Sequence, residues 1–270
     1  MLLGCSTILY GGHSLERALT GIRDAGYVAI ELCSILGMAE HLLPGLPESE
    51  YHRLADLIGE HDLFIESIGA SGNLLSEEGR VRFVALLEAA PHLGAPAITT
   101  GTGGRSDDEE SFRRVVAAIR DLIPAAEANG CVISIKPHVN TAVYNTPTSL
   151  RFIEEINSPW VRLNVDPSHL YRVDEDPEDS IPQLAPYIKT ARIRDTLSRE
   201  KPIGPVETQI PGGGAMHLNA IAEAFKAVPG LRYVTLEIVG TKNMAAEEVD
   251  RVVRRSYDYL YPLFEEGQQR

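Results

Sequence analysis

The sequence has few cysteines, no long apolar run and too few cations to balance its acidic residues. Three cysteines in 270 residues, with no CxxC spacing, predict a chain without a disulfide framework, in a reducing, cytoplasmic compartment. No apolar run reaches the roughly 18 residues of a membrane span, so we expect no membrane partner. Lys and Arg number 25 against 38 Asp and Glu, and the net charge of −13 argues against a nucleic-acid partner.

The length and the order of patterns predict an α/β chain. Apolar residues make up 44% of 270 residues, and a (β/α)₈ barrel typically needs about 250 residues. Short β-branched runs alternate with amphipathic stretches along the chain. The predicted strands are 2–9, 27–32, 63–69, 95–101, 131–137, 160–166, 187–194 and 231–239. The predicted helices are 14–25, 48–61, 77–92, 107–129, 147–156, 178–185, 217–227 and 245–260. The sequence therefore predicts a single (β/α)₈ TIM barrel domain over residues 1–270.

Charged residues end several predicted strands on the side that faces the barrel interior. Side chains alternate along a strand, so in the fifth strand Ile133 and Ile135 face the helices and Lys136 faces inward. The same parity turns four strand-end residues inward: Lys136, Asp166, Arg192 and Glu237. Glu31 and Arg194 have this parity too. Because buried charges are costly unless paired or functional, we interpret them as a site, with a purely structural set of salt bridges as the alternative.

Two histidines and one long connection belong to the same face. His138 follows the fifth predicted strand and His169 follows the sixth. The segment 196–216 joins the seventh strand to the seventh helix without clear periodicity. The carboxyl ends of the strands form the catalytic face of such barrels. We therefore expect this connection to be functional.

Several short motifs make the chain similar to the xylose-isomerase-like TIM barrels, the sugar phosphate isomerase/epimerase superfamily. The motifs are the opening Leu-Gly-Cys-Ser-Thr, the segment 27–32, Asp-Pro-Ser-His at 166–169, Ile-Arg-Asp-Thr at 193–196, Pro-Gly-Gly-Gly at 211–214 and Glu237. Their order and spacing match the family over essentially the whole length.

The resemblance implies a divalent metal, often Mn²⁺, held by a Glu, an Asp, a His and a Glu that end the fifth to eighth strands. The glutamates also shuttle a proton between the sugar carbons that flank a carbonyl. By the same resemblance, Asp166 and Glu237 stand at two ligand positions. His169 stands at a substrate-contacting position, and His138 corresponds to a His often found after the strand 5 Glu.

Two positions depart from the family pattern. Lys136 stands where the strand 5 Glu is expected, and Arg192 where the strand 7 His is expected. Ammonium and guanidinium groups cannot ligate a hard cation. Pairing of these two cations with Asp166 and Glu237 would leave the site near neutrality. We therefore predict that no metal cofactor binds. A metal such as Mn²⁺ would fit only if the strand 5 and strand 7 assignments were wrong, and the chain would then be an ordinary Mn-dependent sugar isomerase or epimerase.

These residues favour an isomerase or epimerase, or a related lyase or dehydratase, that moves a proton next to the carbonyl of a sugar or keto-polyol. The predicted catalytic residues are Glu237 as the base, Lys136, His169 and Asp166, and the predicted substrate-binding residues are Arg192, Arg194, His138 and Glu31. Lys136 and Arg192 would polarise the carbonyl or hold a carboxylate. We expect a small carbohydrate-like substrate, with a homo-oligomer possible.

Two other classes of function stand beside this one. A non-catalytic binding or partner subunit would keep the fold while the site became a salt-bridged cup. Apurinic endonucleases of the same superfamily need several zinc ions and DNA contact, which the charge of −13 disfavours.

Overall fold

The computed structural model of the protein describes residues 1–264. Nine strands lie in the sheet: β1 Leu2–Ser6, β2 Ala29–Ile35, β3 Ala39–Glu40, β4 Phe64–Gly69, β5 Ala97–Gly101, β6 Val132–Lys136, β7 Val161–Val165, β8 Ile188–Ile193 and β9 Tyr233–Leu236. All pair in parallel except the two-residue β3, which forms a short hairpin with β2. Because β1 pairs with both β2 and β9, the eight parallel strands close into a barrel. The predicted (β/α)₈ barrel is confirmed.

Helices surround the strands. They are α1 Leu15–Ala25, α2 Glu48–Glu60, α3 Glu77–Leu93, α4 Glu109–Arg120, α5 Ile123–Ala128, α6 Thr146–Ile156, α7 Pro167–Tyr171, α8 Pro177–Leu184, α9 Val206–Gln209, α10 Leu218–Lys226 and α11 Ala246–Phe264. Local chemistry sets their ends. Ser14 accepts a hydrogen bond from the Arg17 amide before α1, and Gly26 ends that helix at φ 107°.

Strand alternation places the core as the sequence predicts. Ile133 and Ile135 of β6 are fully buried on the helix-facing side. On the other side, Ser134 Oγ lies 2.8 Å from Thr190 Oγ1 of β8 across the barrel interior. The apolar layer between strands and helices therefore fixes the orientation of the inward polar residues.

Three elements differ from the predicted pattern. The first strand ends at Ser6, where its side chain accepts from the Ile8 amide and begins a 3-10 turn, Thr7–Tyr10. The predicted helix 107–129 is divided into α4 and α5, because the ring of Pro124 clashes with the carbonyl four residues back, where α4 ends. The short α7 begins at Pro167, directly after β7.

Within residues 1–264, we find no helix with both the length and the apolarity to cross a lipid bilayer.

Candidate active site

A cavity of about 490 Å³ lies at the carboxyl ends of the strands. Its charged lining comes from Glu31, Lys136, Arg172, Arg194, Lys201 and Glu237. His138 and His169 contribute two imidazoles, and the apolar part of the wall includes Ile8, Met38 and Ile203. The cavity thus combines a charged floor with apolar wall residues, which suits a small polar ligand.

An ion pair between Lys136 and Glu237 lies on the floor. Lys136 ends β6 and Glu237 directly follows β9, so the barrel brings the two strand ends together. Lys136 Nζ donates to both Glu237 carboxylate oxygens, at 2.7 and 2.6 Å. The residues are 8% and 7% exposed, so the pair faces the cavity while most of each side chain is out of water.

Beneath this pair, the Arg192 guanidinium joins three carboxylates. Arg192 is 0% exposed, and donates to Glu31 Oε1 at 2.5 Å and to Glu66 Oε1 at 2.8 Å. Its Nε lies 3.4 Å from Glu237 Oε2. Burial alone would raise the pKa of Glu31, but Arg192 and Lys136 hold it well below its usual range. For Glu66 burial prevails over Arg192, and its pKa is raised.

A second charged group consists of Asp166, Arg194 and His169. Asp166 caps the start of α7 and accepts from the Ser168 amide at 3.0 Å, which fixes its carboxylate. Arg194 Nη2 donates to Asp166 Oδ2 at 2.9 Å and lies 3.0 Å from His169 Nε2. Burial opposes ionisation of Asp166, yet Arg194 keeps its pKa well below the usual range.

The two imidazoles lie against each other in a tilted arrangement beside this group. The His138 and His169 ring centroids are 3.9 Å apart. Burial lowers the pKa of both rings, and nearby cations (Lys136 and Arg194 at His138, Arg194 and Arg172 at His169) add to the effect. His138 Nδ1 lies 2.8 Å from the Val139 carbonyl. Because only a protonated nitrogen can donate to that carbonyl, His138 Nε2 keeps its lone pair.

The connection after β8 contributes to the cavity, as its length predicts. Asp195 accepts from the amides of Thr196, Gly212 and Met216, at 2.8, 3.0 and 3.2 Å. These bonds anchor both ends of the connection, while Lys201 from its middle lines the cavity.

The barrel brings all eight predicted site residues into one region. Glu31, Lys136, His138, His169, Arg194 and Glu237 line the cavity, and Asp166 and Arg192 lie directly behind them. The expected pairing is wrong in part. Asp166 pairs with Arg194 instead of Lys136 or Arg192, because Arg194 follows β8 beside α7.

Sequence reasoning missed two charged residues of the site, Arg172 and Lys201, and left open whether Glu66 faces the barrel interior or solvent. Glu66 has an ambiguous parity in the sequence, because the register between β2 and β4 shifts at Ile30 and Glu31. Arg172 is one turn beyond Ser168 and His169, a helical spacing that could have revealed it. Lys201 lies in an aperiodic loop and carries no such signal.

The strand-end residues do not fit a divalent cation in this arrangement. Lys136 and Arg192 have no lone pair to offer a metal. The oxygens of Glu237 face Lys136 Nζ and Arg192 Nε, and Asp166 Oδ2 accepts from Arg194. The chemistry of this donor set is that of charge-paired side chains.

With the barrel and its polar cavity established, the chain belongs to the xylose isomerase-like TIM barrel family, whose model matches residues 19–261. Among curated proteins, it is 26% identical over 101 residues to a 3-dehydroshikimate dehydratase of Bacillus anthracis, covering 37% of this chain and 36% of that protein. It is 29% identical over 133 residues to a 2-epi-5-epi-valiolone 7-phosphate 2-epimerase of an Actinoplanes species, covering 46% of this chain and 47% of that protein. The chain therefore spans less than half the length of either curated relative.

The fold is also similar to solved structures. The crystal structure of the IOLI protein with a binding zinc atom has a TM-score of 0.79 and 21% identity, over 98% of this chain and 100% of that one. At this identity the likeness concerns the fold.

The prediction that the chain takes no metal cofactor is contradicted by two findings. The similar IOLI structure contains a zinc atom. In this chain, Glu48, His52 and His92 place one ligand atom each within 4.8 Å of one another. The prediction considered only the strand ends, whereas this cluster lies where α2 packs beside α3. Glu48 and His52 are one helical turn apart, a spacing already present in the sequence.

Proposed function

We propose that this chain is an enzyme of the isomerase or epimerase type that removes a proton next to a carbonyl of a sugar or keto-polyol. The observation that carries the proposal is the Lys136–Glu237 pair on the floor of the cavity. A carboxylate beside an ammonium group offers a base for the C–H proton and a cation for the developing enolate oxygen. The dehydratase and epimerase names of the curated relatives support the same reaction class.

The residues have distinct roles in this proposal. Glu237 takes the proton as the C–H bond breaks, and the electron pair moves into the enolate, whose oxygen faces Lys136 Nζ. Arg192 holds Glu237 from below. His138 Nε2 offers its lone pair to a hydroxyl group of the substrate. Arg194 and Asp166 fix His169, which forms the adjacent wall.

The reaction type remains broad within this proposal. Isomerisation, epimerisation and elimination share the first proton removal and differ in where the enolate next reacts. In this proposal the substrate is a small polyhydroxylated carbonyl compound. The compartment is the cytoplasm, which the small number of cysteines favours. A homo-oligomer is compatible with this site.

The test is exchange of solvent deuterium into the carbon next to the carbonyl, followed by NMR across a panel of ketoses and keto acids. We expect Glu237→Gln and Lys136→Met to lower the exchange rate by about 100-fold or more. Lys226→Met is the matched control, since Lys226 pairs with Glu223 on the surface of α10. Parental exchange rates in both site variants would overturn the proposal, and saturable sugar binding without any exchange would favour a binding subunit.

A further inference from the structure

Arg172 is a buried arginine without an acidic partner among residues 1–264. It is 4% exposed and lines the cavity. Its guanidinium donates to the Ser168 and Lys201 carbonyls and lies 3.1 Å from His169 Nδ1. Carbonyl groups and a neutral imidazole satisfy hydrogen bonds but supply no full negative charge. Asp166 acts on Arg172 without forming an ion pair with it, so this desolvated cation has no directly paired counter-ion within residues 1–264.

Two further cations beside Arg172 have unused donors. Arg194 binds Ser168 and Asp166 through Nε and Nη2, and its Nη1 makes no hydrogen bond within the described chain. Lys201 is exposed at the cavity rim, and the described residues offer its Nζ no bond or ion pair. Arg172, Arg194 and Lys201 together are here called the cationic wall.

The charge of the cavity is opposite to that of the molecule. Lys136, Arg172, Arg194 and Lys201 line it against only two carboxylates, Glu31 and Glu237. The whole chain carries −13. Burial, with a smaller effect of the neighbouring Arg194, lowers the pKa of Arg172 to about 10, and Asp166 only partly opposes this shift.

We infer that the cationic wall binds an anionic group of the substrate, a carboxylate or a phosphate. The anion supplies the counter-charge that Arg172 lacks, and Arg194 Nη1 and Lys201 Nζ supply free donors of the kind that bind such groups. This inference rests on the proposed function. It narrows the substrate class from polyhydroxylated carbonyl compounds in general to those that carry an anionic group. The anion then lies on the His169 side of the cavity, and the carbonyl faces Lys136 and Glu237.

The test measures binding with defined probes by titration calorimetry: inorganic phosphate, D-gluconate, and D-fructose as the neutral comparator. We expect either anion to bind about tenfold or more tightly than fructose. Lys201→Gln and Arg172→Gln should each weaken anion binding by about tenfold. Arg113→Gln, an exposed arginine of α4, is the matched control and should leave it unchanged. Lys201 is exposed, so its variant tests the inference even where Arg172→Gln does not fold.

Each outcome separates this inference from the proposed function. Stronger phosphate than gluconate binding identifies a phosphate substrate, and the reverse identifies a sugar acid. The inference about the cationic wall would be overturned if fructose bound as tightly as either anion. It would also be overturned if Lys201→Gln bound the anions as tightly as the parent. Exchange of neutral ketoses as fast as of anionic ones would overturn it as well, while the proton transfer stands. If anion binding depends on Lys201 but no carbonyl compound exchanges deuterium, the proposed function is contradicted and the cationic wall is supported.

Discussion

At the scale of single residues, Arg192 shows how the barrel can hold several charges away from water. A lone buried guanidinium is costly, but Glu31 and Glu66 accept its hydrogen bonds and Glu237 lies close to its Nε. Ser67 Oγ accepts a further bond at 2.9 Å. The network therefore stabilises the fold only as long as every partner is present.

Removal of this guanidinium should be among the most damaging single changes in the chain. Arg192→Met leaves three buried carboxylates without their common cation. We expect the free energy of unfolding in urea to fall by about 3–5 kcal/mol. Arg113→Met on the surface of α4 serves as the control and should change it by less than about 0.5 kcal/mol. A loss below about 1 kcal/mol at Arg192 would contradict the network described here.

The network also predicts how stability depends on pH. The folded-state pKa of Glu31 is depressed, because Arg192 and Lys136 outweigh its burial. Its contribution is therefore present above the unfolded pKa of about 4.3 and is lost as pH falls through the folded value. We expect stability to decline below about pH 4.5, by up to about 1.4 kcal/mol per pH unit for this proton.

Variants at two glutamates check this pH dependence by urea unfolding between pH 6 and pH 3, roughly the range in which carboxylates titrate. Glu31→Gln should flatten the decline, and Glu88→Gln, on the exposed side of α3, should leave it as in the parent. Equal slopes in Glu31→Gln and the parent would show that Glu31 does not carry the effect.

At the scale of elements, periodicity located the strands and helices that bury a regular face. It missed the interruption between α4 and α5, because the amphipathic pattern continues through Pro124 while the backbone cannot. The alternation of side chains along each strand was enough to predict which strand-end residues face the barrel interior. Glu66 stayed ambiguous because a register shift between neighbouring strands is a tertiary feature with no local signature.

The start of α6 offers a test at this scale, because it follows the loop that carries His138. Asn145 Oδ1 accepts from the Thr148 amide at 3.0 Å, and Thr148 Oγ1 accepts in return from the Asn145 amide at 3.1 Å. We expect Asn145→Ala to lower the free energy of unfolding by about 1 kcal/mol. Asn219→Ala, at an exposed position of α10, lacks such a role and should not destabilise. Equal stability of Asn145→Ala and the parent would show that the Asn145 cap does not stabilise the start of α6.

At the scale of the whole molecule, the sequence was sufficient to predict the fold and the convergence of the eight candidate residues. Eight predicted site residues converge because strand ends of a closed parallel barrel must meet. Which cation pairs with which carboxylate could not be predicted, since that depends on side-chain reach across the barrel. The helix cluster of Glu48, His52 and His92 could not be predicted in full, because the approach of His92 on α3 to Glu48 and His52 on α2 depends on how the two helices pack.

This cluster leads to a prediction for metal binding outside the barrel. We expect Zn²⁺ to bind there and to raise the melting temperature of the protein, since a ligand that binds only the folded state stabilises it. His52→Ala should abolish the shift in melting temperature. His217→Ala, which removes an exposed imidazole at the start of α10, is the control. A shift that persists in His52→Ala would locate the zinc elsewhere.

The buried guanidinium of Arg192 finally has a consequence for the order of folding. Its hydrogen bonds to Glu31 and Glu66 span 161 and 126 positions of the chain. Such contacts cannot form until both halves of the barrel have met, so they are absent while the first local βα units assemble. Interactions missing from the folding transition state act on the rate of unfolding. We therefore expect Arg192 to slow the unfolding of the closed barrel and to leave its folding rate almost unchanged.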